Sequence, residues 1–318
     1  MGGMTTPPKS RRPPARAWMG LGLWLAAAGL SLAGVGWARA WFYQMAWWGY
    51  ILLADGLLPL AGRRPLLRGQ GAANLLWLAG ASTVFWIFYE LLNLAALGNW
   101  HYQGVERVLW LRWLGGLVAF ATVLPGVLLT HELLRAWGLG WGVRARPLAA
   151  GRAWYPWFRA AGLLMLALPL AWPRLFFPLV WGALVFLLEP FNHRRGAPSL
   201  MADWQRGDLS RFWGLLVAGL VCGLLWESWN FLAGARWAYT LPWDWLNHPK
   251  LFAMPVWGYL GFPPFAVECF VAASALGPLK AWAGRGRGRA LALATSALVF
   301  DLLVLYLMDQ HLPMTHAD

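Results

Sequence analysis

The sequence predicts an all-α, polytopic membrane protein. Hydrophobic residues make up 59% of its 318 residues and charged residues only 12%, whereas soluble domains are about 25% charged. The apolar residues also gather into stretches near the roughly 20 residues that cross a bilayer as a helix. This composition excludes a disordered chain, and two cysteines are too few for a disulfide scaffold.

Nine apolar stretches are candidate membrane spans. They cover residues 18–37, 42–60, 73–97, 107–134, 157–172, 175–190, 212–233, 251–277 and 289–308. The fifth and sixth are short and are separated only by Pro173 and Arg174. We expect two helices there, because a single helix over 157–190 is too long for one crossing. One broken helix is the alternative.

The first span also resembles a signal peptide, because it follows a basic stretch and precedes the small-residue sequence Ala-Arg-Ala at 38–40. It is long and contains three tryptophans, which is bulky for the apolar core of a signal peptide. We therefore expect a membrane helix, preceded by a disordered, basic cytoplasmic tail over 1–16.

The positions of Lys and Arg predict the orientation. If the N-terminus lies inside, every inner loop carries more Lys and Arg than its outer neighbours, as the positive-inside rule requires. Nine spans then place the C-terminus outside. A net charge of +13 would suggest nucleic-acid binding in a soluble protein. Here the basic residues lie between apolar stretches, so we expect no nucleic-acid partner.

Four residues recur later in the chain at identical spacing. They are Glu90, Asn93, Trp100 and Tyr102 in the first copy, and Glu227, Asn230, Trp237 and Tyr239 in the second. Glu, Asn and Tyr are scarce in this sequence, so chance is a poor explanation. Weaker echoes pair Asp55 with Glu189 and Glu132 with Glu268.

The recurrence predicts two tandem four-helix units followed by a ninth helix. Four crossings return the chain to its starting side, so both units share one orientation and the repeat is parallel, with a pseudo-two-fold axis along the membrane normal. The predicted segments are the tail (1–16), a first membrane repeat (17–138), a cytoplasmic linker (139–156), a second membrane repeat (157–278), and a basic loop, ninth helix and short outer tail (279–318).

The duplicated motif is the candidate site. Glu90 and Asn93 share one helix face, as do Glu227 and Asn230. A carboxyl at the bilayer centre costs at least ~2.5 kcal/mol, so we expect both carboxyls to face the bundle interior and each other. They would line a cavity that is open to the outer side and has aromatic walls.

Each site residue has a predicted role. The candidate acid/base groups are Glu227, Glu90 and Glu268; the last follows Pro263 and Pro264, which we expect to kink the helix or open its backbone. The candidate substrate-binding residues are Asn93, Asn230, Trp100, Tyr102, Trp237 and Tyr239. The alternative interpretation is structural: Glu and Asn hydrogen-bond neighbouring helices, and Trp and Tyr form the interfacial aromatic belt.

Other polar residues suggest no further chemistry. Asp55, Glu189 and Asp301 are predicted to pair with nearby arginines. The six histidines lack the spacing of a metal or haem site on any span. The Gly/Arg run at 284–288 lacks the features of a phosphate-binding loop. We therefore predict no metal and no cofactor, and the sequence does not set the oligomeric state.

Part of the second half resembles a known family. The stretches 226–230 (Trp-Glu-Ser-Trp-Asn), 236–242 and 254–269, the last with Gly-Phe-Pro-Pro-Phe and Glu-Cys, look like a family of bacterial integral membrane proteins without an assigned activity. The likeness covers about a third of the chain. Ala253 stands where such proteins often carry an acidic residue. The resemblance implies a bacterial cytoplasmic (inner) membrane protein.

A more distant likeness is to membrane carotenoid enzymes of the lycopene cyclase and carotenoid hydratase type. It rests on Glu227, Gly234, Trp237 and Tyr239. The paired acidic residues that cyclases carry after a proline are absent, since Pro255 is followed by Val and Trp. This resemblance implies isoprenoid chemistry.

Three functions remain open. The first is an enzyme or binder whose partner is a membrane lipid or apolar small molecule, an isoprenoid among them, with Glu227 and Glu90 as acid/base groups. The second is a proton- or cation-coupled transporter or channel-like protein, whose inner path would include Asp55, Glu132 or Glu189. The third is a structural membrane subunit without catalysis.

Overall fold

The protein is mostly helical. The computed structural model describes residues 13–66, 71–139, 142–149 and 151–317. The predicted tail therefore lies largely outside the described residues. It ends earlier than predicted, because the first helix already begins at Ala15.

Helices account for most of the described chain. They are α1 (Ala15–Leu32), α2 (Gly36–Ala40), α3 (Phe42–Leu57), α4 (Gly71–Leu92), α5 (Leu109–Phe120), α6 (Val123–Ala136), α7 (Tyr155–Ala171), α8 (Pro173–Phe176), α9 (Val180–Arg194), α10 (Leu200–Gln205), α11 (Ser210–Leu232), α12 (Phe262–Ala275), α13 (Gly277–Ala283) and α14 (Arg287–His311). Short strands are β1 (Trp100–Val105), β2 (Arg236–Tyr239), β3 (Lys250–Leu251), β4 (Met254–Pro255) and β5 (Met314–His316).

Seven helical segments of the described chain are long and apolar enough to cross a membrane. They are Ala15–Leu32, Gly71–Leu97, Leu109–Ala136, Pro173–Arg194, Ser210–Leu232, Val256–Ala283 and Arg287–His311. The predicted second and fifth spans coincide with α3 and α7, which have 16 and 17 residues. These two helices are shorter than the seven segments, the shortest of which has 18 residues.

The predicted fifth and sixth spans form two helices. Trp172 leaves the helical conformation, with φ −137° and ψ 70°. Its neighbour Pro173 disfavours helical backbone in the residue before it, so α7 ends there and a new helical segment begins.

Two helix pairs pack closely as antiparallel hairpins. In the α1–α3 pair, a Cβ on Gly20 would lie 2.5 Å from the carbonyl oxygen of Gly49. In the α7–α9 pair, a Cβ on Gly162 would lie 2.6 Å from Cγ of Leu187. Small residues at these positions let the helix backbones approach each other, as in membrane helix packing generally.

The remaining helices assemble around α6. It packs against α3, α4, α11 and α12, while α9 packs on α12 and α14 packs on α4. Large aromatic side chains fill the centre of this bundle, and the fully or almost fully buried ones include Phe42, Trp47, Tyr89, Trp226 and Trp229. The core thus lies between the first and second halves of the chain.

A small sheet, which the all-α prediction did not include, covers one end of the bundle. Its strand order is β2-β1-β5. The β1 and β2 strands pair antiparallel, with Trp100 opposite Tyr239 and Tyr102 opposite Trp237, and β5 pairs parallel to β1. The segments that follow α4, α11 and α14 therefore meet at one end, which we call the sheet end.

Two buried carboxylates hold loops at the opposite end. Asp55 accepts a hydrogen bond from the Leu66 amide at 2.5 Å and lies 3.2 Å from Nε of Arg16, so its predicted arginine contact is present. Glu189 accepts from the Ser199 hydroxyl at 2.6 Å and from the Met201 amide at 2.7 Å. Backbone and hydroxyl donors thus take the place of the arginine predicted for Glu189.

Two further expectations about polar and proline residues were wrong. Asp301 accepts a hydrogen bond from the Thr83 hydroxyl at 2.6 Å, where an arginine was expected. Pro263 and Pro264 lie in the first turn of α12, where missing amide donors leave no helical hydrogen bond unmade. They begin the helix and do not kink it.

Candidate carboxylate and aromatic site

The two repeated glutamates lie near the sheet end of their helices. Glu90 is in the last turn of α4, and Glu227 is near the end of α11. Both side chains are 0% exposed. They are therefore enclosed by protein and do not face the lipid side of the bundle, as the cost of a carboxyl in hydrocarbon requires.

Three aromatic side chains surround the Glu90 carboxylate with donors. The indole N–H of Trp86 donates at 2.7 Å, that of Trp100 at 3.0 Å, and the hydroxyl of Tyr102 at 2.5 Å. Trp86 reaches Glu90 because it lies one helical turn earlier. Trp100 and Tyr102 reach it together because alternate residues of a strand point to one side.

Glu227 has fewer partners. The hydroxyl of Tyr239 donates to its Oε1 at 2.6 Å, and the indole N–H of Trp237 donates to that hydroxyl at 2.5 Å. Among the described residues, its Oε2 is buried without a hydrogen-bond partner. The second motif therefore leaves one carboxylate oxygen available for a proton or another donor.

The two asparagines fasten the strands to the helix ends. The amide of Asn93 donates to the Trp100 carbonyl at 2.9 Å, and its oxygen accepts from the Trp100 amide at 3.3 Å. Asn230 makes the same pair of bonds to Trp237, at 2.9 and 3.0 Å. These amides bond the backbone, so they position the Trp and Tyr residues that follow.

A chain of aromatic ring contacts connects the two carboxylate motifs. The rings of Trp86 and Trp226 have centroids 4.9 Å apart, and those of Trp226 and Trp237 are 5.8 Å apart. Glu90 accepts hydrogen bonds from aromatic residues of the first motif and its helix, and Glu227 accepts one from Tyr239 of the second motif. Among the described residues, no hydrogen bond joins the two carboxylates, and the contacts of Trp86, Trp226 and Trp237 connect their motifs.

Glu268 forms a third buried carboxylate centre. It accepts from the Tyr89 hydroxyl at 2.5 Å and from the Leu184 amide at 2.8 Å. The ring of Tyr89 stacks on Trp181 with centroids 5.1 Å apart and an interplanar angle of 16°. Glu268 thus holds an aromatic pair at the junction of α4, α9 and α12.

A cavity of about 190 Å³ lies beneath the sheet. More than a third of its lining residues are aromatic, including Tyr43, Trp86, Trp100, Tyr102, Trp237 and Tyr239. The sequence predicted that the glutamates and asparagines would also line it. Instead, Glu90 and Glu227 stand behind the aromatic lining and bond the polar edges of those rings.

The charged residues in the cavity wall form one ion pair, and other charged residues lie at the rim of the cavity. Arg112 lies 2.9 Å from Asp309, and the indole N–H of Trp113 donates to the same carboxylate at 2.6 Å. Arg236 also borders the cavity and is exposed. The interior surface is consequently apolar and aromatic.

The phenols of both motifs act as hydrogen-bond donors. Burial, with a further contribution from the neighbouring Glu90, raises the pKa of Tyr102 well above its usual value. Burial and then Glu227 do the same for Tyr239. Both tyrosines therefore remain protonated and donate to the glutamates across the ordinary pH range.

Sequence reasoning missed several members of this site. Trp86 could have been found, because it precedes Glu90 by one helical turn. Tyr89 was noted only as the aromatic before Glu90, whereas it bonds Glu268. Tyr43 and Met314 line the cavity from distant parts of the chain, and no local sequence pattern predicts such contacts.

No family model, curated protein or solved structure matches this chain. Across the described residues, no group of three or more His, Cys, Asp and Glu side chains is placed to hold a metal ion. The function is therefore argued from the geometry of the cavity and its carboxylates.

Proposed function

We propose that this protein spans the membrane and binds an apolar lipid or small molecule in the cavity beneath the sheet, as a lipid-modifying enzyme or a binder. One observation carries the proposal: an apolar cavity is walled by aromatic rings whose polar edges bond buried carboxylates. Concave, mostly apolar sites with a few fixed polar groups are the usual form of ligand sites.

Nine crossings fit the architecture better than seven. With the seven long segments alone, β1 would follow two crossings, β2 five and β5 seven, so strands of one sheet would fall on both faces of the membrane. If α3 and α7 also cross, the strands follow three, seven and nine crossings, all on one face. The contact between Arg16 and Asp55 supports this, because it places the end of α3 beside the start of α1, as two successive crossings require.

Matching contacts support the duplication of a four-helix unit. Both motifs contain a Tyr–Glu hydrogen bond and an Asn that brackets the following Trp backbone. Both halves begin with a glycine-mediated hairpin, α1–α3 and α7–α9. Asp55 and Glu189 each accept a hydrogen bond from a backbone amide in the segment after their helix, that of Leu66 in a loop and that of Met201 in the first turn of α10.

The proposed orientation places the sheet end outside. The Lys and Arg residues favour a cytoplasmic N-terminus, and nine crossings then put β1, β2 and β5 on the outer face. The resemblance to bacterial integral membrane proteins supports a location in the cytoplasmic membrane. The fainter likeness to carotenoid enzymes supports an isoprenoid as one possible ligand class.

An enzymatic role would centre on Glu227 and Tyr239. Tyr239 borders the cavity, and its hydroxyl bonds Glu227, whose second oxygen is free to carry a proton. A Glu227 protonated on Oε1 would donate that proton to the Tyr239 oxygen as the phenol gives its own proton to a substrate, which reverses the hydrogen bond that Tyr239 donates to Glu227 in the structure. Glu90 is more fully occupied by donors, which favours a positioning role.

Transport has less support from the geometry. A transport path would use acidic groups in the half of the bundle opposite the sheet. Asp55 and Glu189 instead secure loops there, and Asp55, Glu132 and Glu189 do not line the cavity. Binding or catalysis at the sheet end is therefore our preferred function.

Analysis of co-purified lipid tests the proposal. The protein would be purified in a neutral detergent and its bound apolar compounds extracted and measured by mass spectrometry. Ala119 lines the cavity, so Ala119→Phe should fill it and reduce the bound compound severalfold. Ala160→Phe, on an exposed position of α7, is the matched control. Equal recovery from all three proteins, or no enriched compound, would contradict the proposal.

A further inference from the structure

Within the described part of the chain, the carboxylates of Glu90 and Glu227 have no cationic side chain among their hydrogen-bond partners. Glu90 bonds Trp86, Trp100 and Tyr102, and Glu227 bonds Tyr239. Indole N–H groups are donors only. The three donors to Glu90 suit an anionic carboxylate, and no Lys or Arg of the described residues is among its hydrogen-bond partners to neutralise that charge.

The arginines at the cavity do not supply that charge. Arg112 is committed to Asp309 at 2.9 Å. Arg236 is exposed at the rim, where Glu106 also borders the cavity. The rim and wall charges thus offset each other, and the buried Glu90 leaves the interior negative.

The hydrogen bonds to Glu90 also change the character of the rings. A Trp or Tyr that donates to an anion is polarised, because bonds in a chain strengthen one another in a low dielectric. This polarisation makes the ring face more negative. A negative ring face attracts cations, and Trp is the best such ring among the side chains.

The lining offers several such faces. Trp86 and Trp226 pack at 4.9 Å, Tyr43 and Trp237 meet edge to face at 4.9 Å, and all four border the cavity. A primary ammonium or a metal ion would lose strongly bound water on entering this apolar space. A quaternary ammonium group is weakly hydrated and is the ligand that aromatic cages recognise.

We propose that the cavity binds an organic cation: a quaternary ammonium or similar alkylated onium group on an apolar tail. The aromatic faces contact the onium group, and Glu90 balances its charge from behind the rings. This inference rests on the proposed function, because it names the ligand class of the same cavity.

Two photoreactive probes test the inference on the full chain in dodecyl maltoside micelles. One is dodecyltrimethylammonium with a diazirine on its tail. The other is the same molecule with a neutral tert-butyl group in place of trimethylammonium. We expect half-maximal labelling of cavity peptides at a roughly tenfold lower concentration for the cationic probe, as mapped by mass spectrometry.

Variants separate charge from fold. Glu90→Gln should reduce the preference for the cationic probe severalfold, whereas Glu132→Gln, whose side chain is 39% exposed, should retain it. Trp226→Phe keeps a ring face and should retain more preference than Trp226→Leu. Elution as a single species in size-exclusion chromatography checks that each variant is folded.

The outcomes distinguish the two proposals. Equal labelling of the cavity by both probes, or stronger labelling by the neutral one, overturns the ligand class and leaves the apolar cavity function standing. A preference that survives Glu90→Gln and Trp226→Leu unchanged also overturns the ligand class. Cavity labelling by neither probe overturns both proposals.

Discussion

Trp86 and Trp226 pack with ring centroids 4.9 Å apart, and each lies on a helix that carries one of the buried glutamates. Trp86 also donates its indole N–H to Glu90. The contact joins the two halves of the chain at the cavity wall. A change to either glutamate motif is therefore expected to affect the surface that a ligand meets.

Cysteine labelling should establish the number and direction of crossings. Thr315 lies in β5, and Arg64 lies in the loop after α3; both are exposed. We expect a membrane-impermeant maleimide added to intact cells to label Thr315→Cys but not Arg64→Cys. Lysed cells should label both, while the buried Cys222 and Cys269 provide little background. Labelling of both variants in intact cells would contradict nine crossings.

Closely packed and open glycines on α1 should respond differently to the same substitution. Gly20→Leu places a side chain against the α3 backbone, whereas nothing lies within 4 Å of a Cβ on Gly22. Overpacking costs roughly 1–3 kcal/mol or more. Gly20→Leu should therefore lower the apparent melting temperature in detergent, and Gly22→Leu should leave it near the wild-type value. Equal effects would show that α1 and α3 do not pack as described.

Removing a tyrosine hydroxyl should cost more stability in the second motif. Tyr239→Phe removes the 2.6 Å hydrogen bond to Glu227, whose other oxygen is already unpartnered. Tyr102→Phe leaves Glu90 with both tryptophan donors. An unsatisfied buried group costs about 1–3 kcal/mol. Thermal unfolding should show the larger loss for Tyr239→Phe, and the reverse order would contradict the assigned hydrogen bonds.

Asp208 should make the start of α11 sensitive to acid. Hydrogen bonds from the Ser210 backbone amide and hydroxyl lower the pKa of Asp208 below its ordinary 3.8. Because the folded-state pKa is depressed, the stabilisation is fully present above the ordinary value and is lost as pH falls through the lowered one. Hydrogen exchange in the first turn of α11 should rise over that acidic range. Asp208→Asn should show no such rise, and an identical pH profile would refute the assignment.

Loss of β5 should loosen the site. This strand pairs with β1, Thr315 accepts from the Gly104 amide, and Arg107 donates to the Ala317 carbonyl. A chain ending at Leu312 is expected to show faster hydrogen exchange in β1 and to retain less co-purified lipid. Thr315→Ala, which removes only one side-chain contact, should show a smaller change. Unchanged exchange in β1 would mean that β5 does not support it.

The sequence predicted the long apolar helices because hydrophobic length is a local property. It also identified the residues of the Glu90 and Glu227 motifs, since their spacing recurs within short stretches. It did not predict the contact between the Trp86 and Trp226 rings, because ring packing between distant helices has no local signature. The seven long segments and the nine predicted spans differ only at α3 and α7, which have 16 and 17 residues and pack closely against α1 and α9.

The sheet escaped prediction for a related reason. Its strands are only three to six residues long, and they pair across most of the sequence. The hydrogen-bond partners of Glu189 were not predicted for a different reason. Its charge suggests an arginine partner, whereas the Ser199 hydroxyl and the Met201 amide donate to it in the fold. Both cases depend on three-dimensional proximity and not on residue type.

The parallel pairing of β1 with β5 has a consequence for biosynthesis. The Gly104 amide donates to Thr315, which lies 211 positions later in the chain. The edge of β1 that pairs with β5 is therefore unpaired until Thr315 has been translated. Contacts this distant form late, after intervening segments are in place. The part of the cavity wall that β5 supports is therefore expected to form after the helices between β1 and β5, so an error in β5 would leave those helices formed and disturb the cavity.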